Sequence, residues 1–283
     1  MRPNKNLLAL VILILIVIVG WTLYLIITLS TEDVDQKKNI IISGSGSGMS
    51  ILEKIGGTQP FEDISLLFLG GAGTIDDVKG VNDGSLDLGT AARKMTDEEK
   101  LSYPNVQERS FAKDAMVLAV HPDVNVRGLT SDQVKKIFTG EITNWNQVGG
   151  DDGIIILLDR SETESSKILL RKYILGESII RTDAIEIATA SLMLDAILET
   201  RNSIGQASFG DIKMNDLTIV PLAIDGIVPS VSSVEDGSYV MIREYGILYN
   251  KNINKEHVQK YIDYIFSETL SEKLINNYMV PVL

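Results

Sequence analysis

The chain has 283 residues, enough to bury a sizeable core in one large domain or in two lobes. It contains no cysteine, which excludes disulfides, thiol chemistry and a cysteine-linked lipid anchor. Its 38 acidic residues outnumber its 26 basic ones and give a net charge of −12, so it lacks the basic footprint of a nucleic-acid-binding protein.

The N-terminal region has the pattern of a membrane-spanning helix. The segment Leu7–Leu29 carries no charged residue and is almost entirely apolar, and a helix of that length spans about 34 Å. Arg2 and Lys5 precede it and Glu32 follows, which predicts an extracytoplasmic location for the rest of the chain. A cleaved signal peptide is the alternative, although it requires a shorter apolar core. We predict a single-pass signal anchor over residues 1–30 in the cell membrane and a tether over residues 31–38.

The remainder of the chain shows strand, small-residue turn and helix in repeated succession, which is typical of an α/β domain with parallel strands. Strands are predicted at 39–42, 64–69, 85–89, 114–120, 152–158, 203–209, 217–222, 240–242 and 247–249. Helices are predicted at 49–55, 75–82, 131–138, 167–175, 182–199 and 254–275. Ligands of such sheets bind at the carboxyl ends of the strands.

The Gly/Ser stretch Ser43–Gly48 lies between the first predicted strand and the first predicted helix. Backbone N–H groups at a helix start have no intrahelical partner, and the helix dipole adds partial positive charge there, so this stretch suits an anion. A flexible linker is the alternative interpretation.

Three further segments are expected near the same sheet edge: Thr74 after a second Gly-rich turn, Asp87, and Arg160 with the Ser/Thr-rich turn that follows it. The guanidinium and hydroxyls are donors for an oxyanion, and a carboxylate can accept the proton of monohydrogen phosphate while repelling sulfate. Each residue also has a structural interpretation: Thr74 as a helix cap, Asp87 as a surface cap or ion-pair partner, and Arg160 as a partner of Glu162 or Glu164.

Enzyme motifs are absent from the sequence. The two histidines, His121 and His257, match neither a Ser-His-Asp pattern nor metal-ligand spacing, and no G-x-S-x-G or P-loop motif is present. We predict a binding protein rather than an enzyme, with no metal and no cofactor.

Five stretches in order resemble the PstS-like periplasmic-binding family, the phosphate-binding proteins of ABC transporters. The similarity extends over nearly all of residues 39–283 and rests on 43–47, 71–81, 86–99, 129–145 and 204–208. The most recognisable stretch is Leu129–Trp145, which in the family is a helix and turn of the second lobe. The resemblance implies a type II periplasmic-binding fold, with lobe 1 over about 39–117 and 223–283 and lobe 2 over about 118–222.

The resemblance also implies residue roles. Hydroxyls of the first turn and of Thr74 would donate to phosphate, Asp87 would accept its proton, and Arg160 would supply the guanidinium. Glu164 departs from the pattern, because the family usually has a small donor there, and its carboxylate opposes a dianion unless it points away or is protonated. The predicted ligand-binding residues are Ser45, Ser47, Thr74, Asp87, Arg160, Glu164, Ser165 and Ser166.

The sequence therefore predicts a membrane-anchored, extracytoplasmic protein that binds phosphate or a related oxyanion and delivers it to an ABC transporter permease. The alternative is an anchored sensor or interaction module with the same fold and an altered ligand site. An exported hydrolase is a third hypothesis, which the missing nucleophile–base pair disfavours.

Overall fold

The structure is a computed structural model that describes residues 17–22, 37–70 and 74–282. The chain divides into two compact units, one of residues 1–38 and 61–65 and one of residues 39–60 and 66–283. In the first unit residues 17–22 are helical, and the Lys38 N–H donates to the Asp63 carbonyl at 2.8 Å. Most of the predicted anchor and tether lies outside the described residues. Within the described part, no helix is long and apolar enough to cross a membrane.

The strands alternate with helices along the chain. The strands are β1 (Lys38–Gly44), β2 (Ile64–Phe68), β3 (Leu88–Ala91), β4 (Val106–Val120), β5 (Gly128–Leu129), β6 (Ile156–Asp159), β7 (Ile185–Glu186), β8 (Ser203–Ser208), β9 (Val220–Pro221), β10 (Ala223–Ile224), β11 (Ile242–Asn250) and β12 (Val280–Pro281). The helices are α1 (Gly46–Lys54), α2 (Thr74–Asp83), α3 (Asp97–Ser102), α4 (Ser131–Thr139), α5 (Ser165–Leu170), α6 (Ala190–Glu199), α7 (Phe209–Met214), α8 (Val231–Glu235), α9 (Glu256–Ile265) and α10 (Glu268–Asn276). Short 3-10 turns cover Gly56–Thr58 and Trp145–Val148, and a π-helical segment, Arg171–Leu175, continues α5.

The second unit contains a sheet in the order β1-β3-β11-β4-β8-β6-β7. β1 and β3 are parallel, as are β6 and β8, which confirms the parallel α/β prediction for these pairs. The long strand β4 pairs with β11 up to Ala115 and with β8 from Met116 onward, both antiparallel. β4 thus joins the β1–β3–β11 part of the sheet to the β8–β6–β7 part.

Hydroxyl side chains fix where most of these helices begin. Among the described residues, seven helices have an N-cap whose hydroxyl accepts the backbone N–H three residues further on: Ser45, Thr96, Thr130, Thr189, Ser208, Ser230 and Ser267. Such a cap satisfies a donor that the helix itself cannot, and its loss costs about 1 kcal/mol. Gly140 ends α4 in the left-handed region at φ 84°, a conformation that glycine adopts without strain.

Three predicted elements differ in extent because tertiary pairing and capping override local pattern. β4 begins at Val106 rather than at 114, since its charged first half is held by β11 on one side. The predicted helix over 182–199 begins only at Ala190, where Thr189 caps it, and Ile185–Glu186 instead pairs with β6. The predicted helix over 254–275 is two helices, because Ser267 caps the start of a new one.

The core of the second unit includes two clusters of buried apolar side chains. A large cluster packs Phe138 and Trp145 against Leu118 and Leu157, and a smaller one packs Val78 against Leu248. Fully burying one such side chain contributes about 1.5–3 kcal/mol. Trp145 also donates its indole N–H to the Asn202 carbonyl at 3.0 Å. This packing holds the strand ends that carry the candidate site.

Candidate functional site

A cleft of about 590 Å³ in the second unit is open at the carboxyl ends of four strands. Residues that follow β1, β3 and β6 line it, together with the last residues of β8. Its polar and charged lining residues are Ser45, Ser47, Arg93, Arg160, Thr163, Glu164, Ser165, Ser166, Thr189, Gln206, Ser208, Asp211 and Arg243. The cleft therefore lies at the sheet edge where the sequence predicts a ligand.

The Gly/Ser stretch forms an ordered junction from β1 into α1. Ser45 caps α1 by accepting the Gly48 N–H at 3.2 Å, and its own N–H donates to the Thr90 carbonyl at 3.0 Å. Gly44 has φ 149°, and a Cβ there would lie 2.1 Å from Thr90 Oγ1, so only glycine fits. The linker interpretation is wrong: Ser47, 9 % exposed, is held in the first turn of a helix that faces the cleft.

The β6–α5 junction supplies the guanidinium. Arg160 follows β6 and is only 6 % exposed, and its Nη2 lies 2.6 Å from Glu164 Oε2. Its Nε is buried and has no hydrogen-bond partner among the described residues. Ser165 and Ser166 begin α5, where the first N–H groups have no intrahelical partner. This side of the cleft thus presents one cation, two hydroxyls and helix-start N–H groups.

A buried ionic group holds this junction in place. Lys167, which is fully buried, contacts Asp159 at the end of β6, and Gln206 on β8 donates to the other Asp159 oxygen at 2.8 Å. A buried charge is tolerated only when it is paired and hydrogen-bonded in this way. The group ties α5 to both strands, so Arg160, one residue after Asp159, has a fixed position.

The floor of the cleft carries a second buried ionic group. Arg243 on β11 pairs with Asp114 on β4 at 3.5 Å, and Asp114 also accepts the Gly210 N–H at 2.9 Å. Burial raises the pKa of Asp114 to about 6, although the Arg243 charge opposes the shift. Arg243 thus has a carboxylate partner at Nη2, but its buried Nε has no hydrogen-bond partner among the described residues.

Asp211 is a buried carboxyl group in the wall of the cleft. It lies in α7, immediately after β8, and is 7 % exposed. Burial raises its pKa, while the charges of Arg243 and Lys54 oppose that shift. Its Oδ1 has no hydrogen-bond partner in the described part of the chain. A carboxyl group in this state is suited to share a proton with a ligand.

Arg93 lines the cleft beside β3 but is already engaged. Its Nη1 and Nη2 donate to the two carboxylate oxygens of Glu99 at 2.9 and 2.7 Å. This bond, with the backbone N–H of Thr96, lowers the pKa of Glu99 to about 2. Of the three guanidiniums at the cleft, Arg160 is therefore the one whose partner, Glu164, is itself a cleft residue.

Six of the predicted ligand-binding residues line the cleft: Ser45, Ser47, Arg160, Glu164, Ser165 and Ser166. Thr74 begins α2, but its side chain lies outside the described part of the structure. Its neighbour Ile75 lines the cleft.

The expected placement of Asp87 at the ligand end of the sheet is wrong. Asp87 precedes β3, and Thr90 at the other end of that strand pairs with Gly44, so about 10 Å of strand separates Asp87 from the cleft edge. Its carboxylate accepts the Ile41 N–H at 2.9 Å and pairs with Lys255 at 2.6 Å. Asp87 is therefore a structural residue at the amino end of β3, in agreement with the alternative interpretation of the sequence.

Several residues that line the cleft are not among the predicted ligand-binding residues: Arg93, Thr189, Gln206, Ser208, Asp211 and Arg243. A local signal exists for Asp211, because Ser208, like Ser45, lies at a strand-to-helix junction and caps the helix that follows. Arg243 gives no such signal, since its role depends on its pairing with Asp114, 129 positions earlier in the chain.

Comparison with known proteins identifies the class to which this fold and cleft belong. The family model described as PBP superfamily domain matches residues 30–269, and the chain belongs to that superfamily. It has the mixed α/β, two-lobed fold of periplasmic-binding proteins.

Within this superfamily, the chain is similar to two curated relatives and one solved structure that are described as phosphate-binding or phosphate-transport proteins. The phosphate-binding protein PstS of Bacillus subtilis is 27 % identical over 249 residues, which cover 86 % of this chain and 81 % of the relative. PstS of Borreliella burgdorferi is 24 % identical over 83 % of this chain and 87 % of the relative. A structure from Clostridium perfringens, assigned as a phosphate ABC transporter substrate-binding protein with bound phosphate, superposes with a TM-score of 0.74. It is 24 % identical and matches 87 % of this chain and 100 % of its own.

Proposed function

We propose that this chain is an extracytoplasmic binding protein that captures inorganic phosphate, or a related oxyanion, and delivers it to an ABC transporter permease. The relatives from B. subtilis and B. burgdorferi are phosphate-binding proteins, and the C. perfringens structure contains phosphate. The same activity fits the donor set of the cleft described above.

The observation that carries this proposal is the buried guanidinium of Arg160 among hydroxyl groups. A buried cation needs an anionic partner, and phosphate offers several oxygens to the fork of an arginine. Ser47 on one side and Ser165 and Ser166 on the other add donors at helix starts. Each hydrogen bond to a charged oxygen contributes about 1.5–3 kcal/mol, enough for specific binding when several act together.

We propose that Asp211, and not Asp87, is the carboxylate that accepts the proton of the bound ligand. Asp211 is the carboxyl group in the cleft wall that has an unpartnered buried oxygen, and burial raises its pKa. Monohydrogen phosphate carries one proton that the carboxylate can accept, whereas sulfate carries none. Sulfate would therefore face an ionised carboxylate, and the site discriminates through repulsion.

The geometry favours binding over turnover. The cleft hydroxyls have no histidine beside them: His121 accepts the Asp123 N–H, and His257 lies 3.3 Å from the Asn39 carbonyl. Neither histidine lines the cleft. Without a histidine next to a hydroxyl, the cleft has no Ser–His pair to activate a hydroxyl for attack on a phosphate ester. We therefore infer a binding protein rather than an enzyme.

We further propose that residues 1–30 anchor the protein in the cell membrane and that residues 31–38 are the tether, on the strength of the apolar N-terminal sequence. Lobe 1 would comprise about 39–117 and 223–283, and lobe 2 about 118–222. The change of β4 partner between Ala115 and Met116 supports a boundary near residue 117.

A sensor or interaction module with an altered site is the second candidate. The observation that favours it is the ion pair of Arg160 with Glu164, which places a second carboxylate in the cleft. In such a protein the cleft would bind phosphate weakly or bind a different ligand.

Calorimetry on the full-length protein distinguishes these candidates. We expect heat on titration with phosphate and with arsenate, and little with sulfate or molybdate, which carry no proton at neutral pH. Binding of no oxyanion at all would overturn the transport function. Binding of sulfate as strongly as phosphate would overturn the role of Asp211.

A further inference from the structure

Glu164 occupies the start of α5 without acting as its cap. In the seven helices that begin at a hydroxyl N-cap, the side chain accepts a backbone N–H of its own helix. Glu164 makes no such bond, although a carboxylate there can accept one. Its carboxylate instead turns to Arg160 Nη2 at 2.6 Å.

Arg160 and Glu164 differ in the desolvation cost that each would bear if their ion pair were broken. Arg160 is 6 % exposed and has a buried Nε without a partner, so it requires an anion nearby at all times. The Glu164 side chain is 42 % exposed and can turn into water with little desolvation cost. An incoming anion can therefore replace Glu164 at the guanidinium without leaving either charge buried and unpaired.

We propose that Glu164 is a built-in competitor that occupies the guanidinium of the empty site and must be displaced by the ligand. This inference rests on the proposed function and deepens it. Glu164 lowers the affinity of the site for every anion, and it makes the site select ligands with two negative charges. A singly charged anion replaces one carboxylate with an equal charge and gains little. A dianion with several oxygens gains further hydrogen bonds from Ser165 and Ser166.

The competitor is tethered four residues from its cation, so its effective concentration is high and independent of the ligand. The apparent dissociation constant is then the intrinsic constant divided by the fraction of protein in which Arg160 is free of Glu164. If that fraction is about one tenth, removal of the carboxylate tightens phosphate binding about tenfold.

The chain offers a matched control in Glu162. It lies in the same turn and carries the same charge, but its carboxylate bonds Arg171 at 2.7 and 3.0 Å, lies 3.8 Å from Lys167 Nζ, and does not line the cleft. Glu162→Gln removes one negative charge near the site without touching Arg160. A general electrostatic effect would appear in both variants, and competition only in the Glu164 variant.

The test is calorimetric titration of the full-length wild type, Glu164→Gln and Glu162→Gln with inorganic phosphate, with Glu164→Gly as a second variant in case the first does not fold. We expect the Glu164 variants to bind about tenfold more tightly and Glu162→Gln to stay within about twofold of wild type. If the Glu164 variants bind phosphate and the wild type does not, that result also supports the role of Glu164 as a competitor.

Other outcomes separate this inference from the function on which it rests. If the wild type binds phosphate and both Glu164 variants bind it equally or more weakly, Glu164 is not a competitor. The proposed transport function is unaffected by that result. Equal tightening in Glu162→Gln also overturns the role of Glu164 as a competitor, in favour of general charge. No phosphate binding by any of these proteins overturns both proposals.

Discussion

The role of Asp211 gives the most quantitative prediction. In Asp211→Asn the carboxyl group becomes a neutral amide of the same shape, so the site loses the group that repels a fully deprotonated anion. We expect phosphate and sulfate to bind this variant with similar dissociation constants, whereas the wild type prefers phosphate. The matched control is Asp195→Asn, which removes an exposed carboxylate from an adjoining cleft but not from the candidate site.

The magnitude follows from the protonation of Asp211. Burial raises its pKa, so protonation is easier than for an ordinary aspartate, but above that pKa each pH unit still costs about 1.4 kcal/mol, a factor of ten. Sulfate binds the wild type only after Asp211 takes up a proton, whereas monohydrogen phosphate brings its own. The ratio of the sulfate to the phosphate dissociation constant therefore rises about tenfold per pH unit and falls as the solution is acidified.

The assay is calorimetric titration of wild type, Asp211→Asn and Asp195→Asn with both anions between about pH 6 and pH 9. Groups near Asp211 that could contribute are Arg243, Lys54 and Asp114. The raised pKa of Arg243 keeps its charge over this range, and all three groups are present in all three proteins. A wild-type ratio that does not change with pH, or an Asp211→Asn ratio that changes as steeply as the wild type, refutes the reasoning.

Three further predictions concern single residues. Arg160→Gln should weaken phosphate binding roughly 10- to 100-fold by calorimetry, because the charged donor is lost, and unchanged affinity would place the ligand elsewhere. Asp87→Asn should leave phosphate affinity unchanged and lower the free energy of unfolding by about 1 kcal/mol, through its bond to Ile41 and its pair with Lys255; a tenfold loss of affinity would restore Asp87 to the site. Gly44→Ala should lower the free energy of unfolding by about 2–3 kcal/mol in urea titrations, and a loss well under 1 kcal/mol would contradict the backbone strain inferred at φ 149°.

Local sequence signals were sufficient for the strand–turn–helix junctions. Ser45 and Arg160 both follow an apolar strand and precede a helical pattern, and the structure brings both to one cleft. Short-range chemistry decides such junctions, because a hydroxyl cap or a glycine in an unusual conformation acts within a few residues. Most of the candidate site was therefore accessible from sequence.

Strand register and long-range pairing were not accessible in this way. Asp87 was misplaced because its end of β3 is set by the pairing of Leu88 with Ile42, which no local pattern specifies. Asp211 and Arg243 share a cleft only because α7 follows β8 and because β11 pairs with β4. Buried charges on separate strands can be recognised as partners only once the sheet order is known.

The measurement that tests the central claim most directly is a crystal structure of the full-length protein with phosphate. We expect the anion in the cleft within hydrogen-bond distance of Arg160, Ser47 and Ser166, with the Glu164 carboxylate turned away from the guanidinium. Phosphate bound elsewhere, or an Arg160–Glu164 pair that persists beside a bound anion, would contradict the account.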